Sequence, residues 1–263
     1  MRLKITHRTE YRYDEPVTYA LQRLRLMPVS GPTQTVLNWT LLVAGAKEEV
    51  RFSDQFGNET RLLSVEGAPQ AIAVEASGEV ATRDTAGVFG PHSGFAPLWL
   101  FEHHTELTAP GAAVRSLADA VGPGEPIPRL HQLMALLGAR VRYVSGATDS
   151  ATPAEVALQA GQGVCQDHTH IFVAAARLLG FPARYVSGYL KMAEVEQAAS
   201  HAWAEAHVPS LGWVAFDAAN GISPDDGYVR VAAGRDYRDA MPVSGIRLGQ
   251  AAEHLAVRIT VEQ

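Results

Sequence analysis

A chain of 263 residues, 47% hydrophobic and 19% charged, has the apolar mass for one or two packed domains and lacks the charge bias of a disordered segment. Its net charge of −6, without any dense basic cluster, argues against nucleic acid and anionic membrane as partners. A single cysteine, Cys165, excludes an internal disulfide and fits a reducing compartment; with no apolar leader after Met1 and no apolar stretch of about 20 residues, the expected location is the cytoplasm.

The chain opens on strict alternation. Leu3, Ile5, His7, Thr9, Tyr11 and Tyr13 share one face of a predicted strand over 3–13, and Arg2, Lys4, Arg8 and Arg12 share the other. Further strands are predicted over 20–27, 35–43, 49–53, 60–65 and 71–80. Between two of them, Asp54-Gln55-Phe56-Gly57-Asn58 reads as a hairpin turn with Gly57 or Asn58 at positive φ. Short strands, turn signals and no helical period predict an antiparallel β-sandwich-like domain. His7 is a strand residue rather than a ligand, because no second ligand type stands at metal spacing. Glycines and prolines then mark a linker, in which Phe95, Trp99 and Phe101 supply aromatic mass to pack between domains. The adjacent His103 and His104 diverge in direction and make a poor metal pair.

Helical periodicity starts at Pro110. Val114, Leu117, Ala118 and Val121 fall on one helix face, and Leu130, Leu133, Met134 and Leu137 on another. An extended piece over 141–144 follows, and Thr152-Pro153-Ala154-Glu155 has the pattern of a capping box opening a short helix. That helix delivers the chain to GQGVCQDHTHIFVAAARLLG, residues 161–180, in which Cys165 lies in the first turn of a helix apolar on almost every face and therefore buried. Gly180 and Pro182 stop it. No Ser, Thr, Asp or Asn stands at the cap, so the unused N–H groups of the first turn favour a negative charge, and a thiolate is one. With an imidazolium nearby, such a start lowers a thiol pKa from its reference of about 8.5. A lone cysteine is otherwise a small buried apolar residue, so its partners decide.

Those partners follow a strand over 183–190 and a polar connector over 191–199. His201, Trp203, Glu205 and His207 alternate with Ala202, Ala204, Ala206 and Val208, a strand with two unlike faces. Pro209 to Gly212 forms a hairpin loop, and a second strand runs to Asp217, which places His201 and Asp217 at the far ends of paired strands and within reach of each other. Strands over 229–232 and 255–261 close the chain.

Three blocks, GVCQDHTH, RLLGFPARYVSGYL and SHAWAEAHVPSLGWVAFD, resemble in this order the core of the bacterial transglutaminase-like family, which belongs with the papain-like cysteine proteases. The first hundred residues are similar to the N-terminal β domain that accompanies this core. The resemblance implies an α+β fold: an N-terminal β domain over 1–82, a linker over 83–110 and a papain-like catalytic core over 111–263, with the C-terminal strand against that core. It implies Cys165 as nucleophile, His201 as base, Asp217 as the carboxylate that orients the imidazole, and neither cofactor nor metal. Where the family usually has an aromatic this chain has His168, and where it has Pro-Thr this chain has Ala218-Ala219.

The N–H of Cys165 is the expected oxyanion donor, with a second donor open between Gln159, Gln162 and Tyr143. Asp167 and His170, three apart on the helix, read as an ion pair or a satisfied polar cluster, and His168 as a competitor for the thiol. Trp203 is expected to shield the His–Asp pair, and His207 to lie at the surface. The expected chemistry is hydrolysis of an amide or peptide bond in a protein or peptide substrate through a thioester, because residues 191–199 make a poor lid for excluding water. One alternative is acyl transfer to an amine. Of a different class are a zinc site, built from Cys165 with His168, His170 or His201, and a non-catalytic peptide-binding module.

Overall fold

A computed structural model describes residues 1–65, 67–249 and 252–263. The six strands expected before residue 83 all form: β1 (Arg2–Tyr13), β2 (Ala20–Met27), β3 (Gln34–Ala44), β4 (Ala46–Ser53), β5 (Glu59–Val65) and β6 (Ala71–Thr82). On β1 the alternation becomes burial, with Leu3, Ile5, His7, Thr9 and Tyr13 inside. The outer face carries exposed pairs such as Arg8–Glu75, which contribute little to stability. The hairpin turns at Gly57, φ +83°, and Asp54 organises it by accepting from the N–H groups of Phe56 and Asn58 and from the buried Arg25.

The predicted linker contributes β7 (Val88–Gly90) and a short 3-10 turn, Leu98–Phe101. Of the three aromatics singled out there, Phe101 is buried against Phe56 and Trp213, whereas Phe95 and Trp99 are exposed. Four helices follow with a two-residue strand on either side of the third: α1 (Ala112–Asp119), α2 (Pro126–Arg140), β8 (Arg142–Tyr143), α3 (Ala154–Ala160), β9 (Gln162–Gly163) and α4 (Cys165–Leu178). The rest comprises β10 (Ala183–Leu190), β11 (Glu196–Gln197), β12 (His201–Val208), β13 (Gly212–Phe216), β14 (Tyr228–Gly234), α5 (Tyr237–Ala240), β15 (Val243–Arg247) and β16 (Glu253–Glu262).

As its composition requires, α4 is buried from Ile171 to Arg177, and α1, α2 and α3 surround it. The alanine face of β12 (Ala204, Ala206, Val208) packs into the same cluster, while Trp203 points to the opposite face with Val186, Ala215 and Tyr228. The core sheet has the order β14-β10-β12-β13-β7, and β8 pairs with β9 in parallel. No helix among the described residues is long and apolar enough to cross a membrane.

The end of the chain returns to its beginning. The N-terminal sheets have the orders β11-β16-β1-β6-β3 and β15-β2-β5-β4. Expected against the core, β16 takes its hydrogen bonds from β1, with Ile5 opposite Val261 and His7 opposite Ile259. Its apolar face does meet the core: Ile259 and Val261 pack with Tyr189, Val229 and Val231.

Two amides complete this seam. The outer edge of β14 would otherwise present bare peptide groups. Gln34 bonds both the N–H and the C=O of Arg230, and Asn58 those of Ala233, all four bonds at 2.8 Å. A primary amide offers one acceptor and a donor in the geometry of a peptide group, so each side chain substitutes for a residue of a neighbouring strand. Elsewhere, Arg177, buried at the end of α4, ties the segment before the helices to the core, donating to oxygens of Phe101, Thr108, Ala183 and Arg235. Burial pushes its pKa down to about 9, opposed by Asp236.

The expected capping box on α3 does not form. Thr152 bonds Asp149 instead, Pro153 is the cap residue, and the Glu155 carboxylate takes the N–H groups of Gly111, Ala113 and Val114 at 2.8–3.0 Å. It thereby caps α1, whose own cap residue is a glycine without a side chain. A Cβ on Gly111 would stand 2.4 Å from that carboxyl group, so the glycine also makes room for it.

Candidate active site

The site is set up by the two glycines before Cys165. Gly161 ends α3 in the left-handed conformation, φ +64°, a position that favours glycine. Gly163 then lets the chain pass close to Asp167: a Cβ there would lie 2.7 Å from that side chain. The space is used, because Asp167 Oδ2 accepts from Val164 N at 2.7 Å and from Thr148 Oγ1 at 2.6 Å. The helix start expected to be uncapped is thus held by its third residue reaching back, half of a capping box. The N–H groups of Cys165 and Gln166, in the first turn, still have no carbonyl within the helix to bond.

Cys165 is 9% exposed, packed with Tyr185, Ala202, Ala232 and Ala240. His201, also 9% exposed, is hydrogen-bonded through Nε2 to Asp217 Oδ2 at 2.6 Å and, on its other side, feels the Cys165 thiol electrostatically. Burial works against a charged imidazole here, but the hydrogen bond to Asp217 and the interactions with Cys165 and the Asp217 charge outweigh it, and the His201 pKa is raised to about 10. For the fully buried Asp217, burial pushes the pKa up, yet His201, Tyr228 and Asn220 together hold it below its ordinary value.

Five hydrogen bonds fix that carboxylate. Oδ2 receives His201, Tyr228 OH at 2.7 Å and Asn220 Nδ2 at 2.7 Å, while Oδ1 receives the N–H groups of Ala219 and Asn220. The loop with Ala218-Ala219 is therefore held by the aspartate itself, and by main-chain bonds from Asp217 to Gly221 and Ile222. Sequence reasoning missed Asn220 and Tyr228. The Asn220-Gly221 pair signals a turn just after Asp217, whereas Tyr228 arrives from another strand without any local mark.

Trp203 stacks on His201 with ring centroids 6.3 Å apart and meets Tyr228 edge-on at 5.4 Å, covering the His–Asp pair as expected. A Cβ on Gly188 would be 2.6 Å from the Trp203 ring, so this motif glycine seats the tryptophan. His207 is half-buried against Trp213 rather than free at the surface.

The remaining helix residues bond to backbone. His168 directs Nδ1 at Val164 O and Nε2 at Val141 O, and its ring stacks on Tyr143 at 6.3 Å, so it packs as an aromatic would. His170 accepts from Tyr237 N through Nε2, and burial, aided by Arg177 and Arg238, lowers its pKa to about 3. Among the described residues Asp167 Oδ1 and His170 Nδ1 have no partner, so these two form neither an ion pair nor a fully satisfied cluster. With the Nε2 lone pair of His170 engaged by Tyr237, that ring has no lone pair free on this nitrogen for a metal shared with Cys165.

Of the three candidate oxyanion donors, Gln159 is drawn to Glu155 on α3. Tyr143 pairs with Gly163 next to Cys165; burial and the neighbouring Cys165 raise its pKa.

Residues 115–218 match the family model for the core of the transglutaminase-like superfamily, and residues 3–81 match that for the bacterial transglutaminase-like N-terminal region. An uncharacterized protein of Mycobacterium leprae is 27% identical over 275 residues, spanning 99% of this chain and 98% of that protein. One of Mycobacterium tuberculosis strain H37Rv is 28% identical over 278 residues, spanning 93% of this chain and 87% of that protein. A crystal structure from Cytophaga hutchinsonii, of a protein proposed to be a cysteine protease, superposes with a TM-score of 0.78 at 22% identity, over 100% of this chain and 91% of that one. The fold is thus shared along the whole chain, N-terminal sheets included.

Proposed function

Because the chain belongs to the transglutaminase-like superfamily and carries its bacterial N-terminal region, we propose that it is a thiol-dependent hydrolase of amide or peptide bonds. The observation that carries the reading is His201, buried between the Cys165 thiol and the Asp217 carboxylate and held in its charged form well beyond neutral pH. An imidazolium against the sulfur is the partner a thiolate needs.

The Cys165 sulfur attacks the carbonyl carbon, and the oxyanion is stabilised by the Cys165 N–H, with the Tyr143 hydroxyl as the second donor. His201 gives its proton to the leaving nitrogen, the C–N bond breaks, and a thioester remains on Cys165. Water then adds to the thioester while His201 takes its proton; the acid leaves and the Cys165–His201 pair is restored. Asp217 neither gives nor takes a proton. Its five hydrogen bonds hold it ionised and aim Nδ1 of His201 at the sulfur, the orienting role of carboxylates in triads generally.

Water is favoured over an amine because the connector cannot act as a free lid: β11 is paired with β16, and Gln197 bonds Leu190 O. The test is a panel of glutamine- and amide-containing peptides, with and without a labelled primary amine, read by mass spectrometry. Cleavage or deamidation that disappears in Cys165→Ala is the expected result. Amine incorporation exceeding hydrolysis at millimolar amine would make the enzyme an acyltransferase.

A further inference from the structure

We propose that a cleft between the N-terminal sheet and the core, adjoining His201, is a substrate subsite that takes one uncharged aromatic or branched aliphatic side chain next to the bond attacked. This deepens the hydrolase reading and rests on it for the identity of the ligand as a peptide.

The cleft follows from a change along one sheet face. At one end of the β1–β16 pair, Leu3, Ile5, Ile259 and Val261 are sealed against the core. Toward the other end the same face opens: Thr9 lies opposite the half-buried Val257, and Tyr11 opposite Leu255, which is 56% exposed. There the two layers separate around a cavity of about 160 Å³, lined from the sheet by these residues and from the core by Ser200 and Tyr237.

Both core residues tie the cavity to the nucleophile. Ser200 immediately precedes His201. Tyr237 packs on the cluster that contains Cys165, its ring edge-on to Tyr185 at 6.0 Å. A substrate chain with its carbonyl at Cys165 therefore has this cleft beside it, and Leu255 is a large apolar side chain at the rim that the described residues leave 56% exposed.

Size and polarity select the occupant. The volume equals about five waters at about 30 Å³ each, enough for a leucine- or phenylalanine-sized side chain and below the range of about 300–1,000 Å³ typical of cofactor or drug-sized sites. Among the described residues the lining carries no carboxylate and no Lys or Arg. Its one titratable base, His7, is engaged by Tyr189 OH and Thr9 Oγ1, and burial lowers its pKa to about 4, so the floor is neutral at physiological pH. A charged side chain would find no partner there, and an apolar one loses only water.

The test is equilibrium binding of a peptide panel, varied only at the residues flanking a central glutamine, to the Cys165→Ala protein and to the same protein carrying Leu255→Asp. Leu255 is exposed enough for the change to spare the fold. Peptides with Phe, Leu or Ile at one flanking position should bind roughly tenfold or more tighter than those with Gly or Asp there. Leu255→Asp should erase that preference and turn it toward Lys or Arg. Equal binding across the panel, or a preference that survives Leu255→Asp, overturns the subsite. Turnover by the wild-type protein is scored separately: binding preference without turnover would leave the subsite standing and sink the hydrolase reading, and turnover without preference would do the reverse.

Discussion

In two of the places where the molecule buries polar groups, it does so by different means. Beside Cys165 it uses groups that titrate, His201 and Asp217, set close enough that each determines the other's charge. Along the outer edge of β14 it uses groups that do not, the amides of Gln34 and Asn58, which match peptide groups without any charge. Beside Cys165 the bonds join two ionisable groups; the four bonds to β14 join neutral ones, although Asn58 also donates to the Asp54 carboxylate. The first arrangement should respond to pH more than the second.

The largest effect that would sharpen this contrast is at the proposed nucleophile. Cys165→Ala should reduce turnover by a factor on the order of 10⁴ or more while the melting temperature stays near wild type, because a small residue replaces a small one. Asp217→Asn should lower turnover by roughly a hundred- to ten-thousandfold and leave Cys165 open to alkylation; wild-type turnover in that variant would remove the carboxylate from the mechanism. At the seam the pattern should invert. Asn58→Leu strands the N–H and C=O of Ala233 and should cost about 2–5 kcal/mol in denaturant unfolding, with the alkylation rate of Cys165 in the folded protein unchanged.

The smallest effect expected is on the pH profile. His201 has its pKa raised from 6.5, so the stability it contributes is complete below 6.5 and is lost as pH rises through about 10. Asp217 has its pKa lowered, so its contribution is complete above its ordinary 3.8 and is lost as pH falls through the depressed value. kcat/KM should accordingly hold from neutrality into the alkaline range and fall near pH 10, and Asp217→Asn should move that limb toward acid. A wild-type limb near 6.5 would show that His201 is not held charged. Unfolding of the Asn58→Leu protein, relative to wild type, should cost the same at pH 6 and pH 9; a difference between them would break the contrast.

The same division governs how much could be read before the structure. Cys165, His201 and Asp217 were legible because each sits in a local pattern: a helix start after two glycines, and the two ends of a hairpin with a Pro-Ser-Leu-Gly loop. The first strand was legible from alternation, and the five after it from short strand-forming runs between turn signals with no helical period. Gln34, Asn58 and Arg177 gave no sign, since what they satisfy is backbone elsewhere: Arg230 and Ala233 lie 196 and 175 residues from the two amides. Glu155 shows how a local pattern misleads: the spacing from Thr152 fits a capping box, but three N–H groups of α1, 41–44 residues earlier, compete better for the carboxylate. Three-residue β7 and glycine-containing β15 are too short or too irregular to show a period, and only their neighbours β13 and β2 make them strands.

The pairing of β16 with β1 and of β15 with β2 also sets an order of events during synthesis. The first two strands leave the ribosome early, and their partners follow only after more than two hundred further residues, at about 5–20 residues per second a delay of roughly ten seconds or more. Throughout that interval each N-terminal sheet has a bare edge, one at β1 and one at β2, open to pairing with another chain. A nascent chain cut between residues 83 and 242 keeps both edges permanently, so such a truncation should lead to aggregation through these sheets even though every residue of β1 to β6 is present.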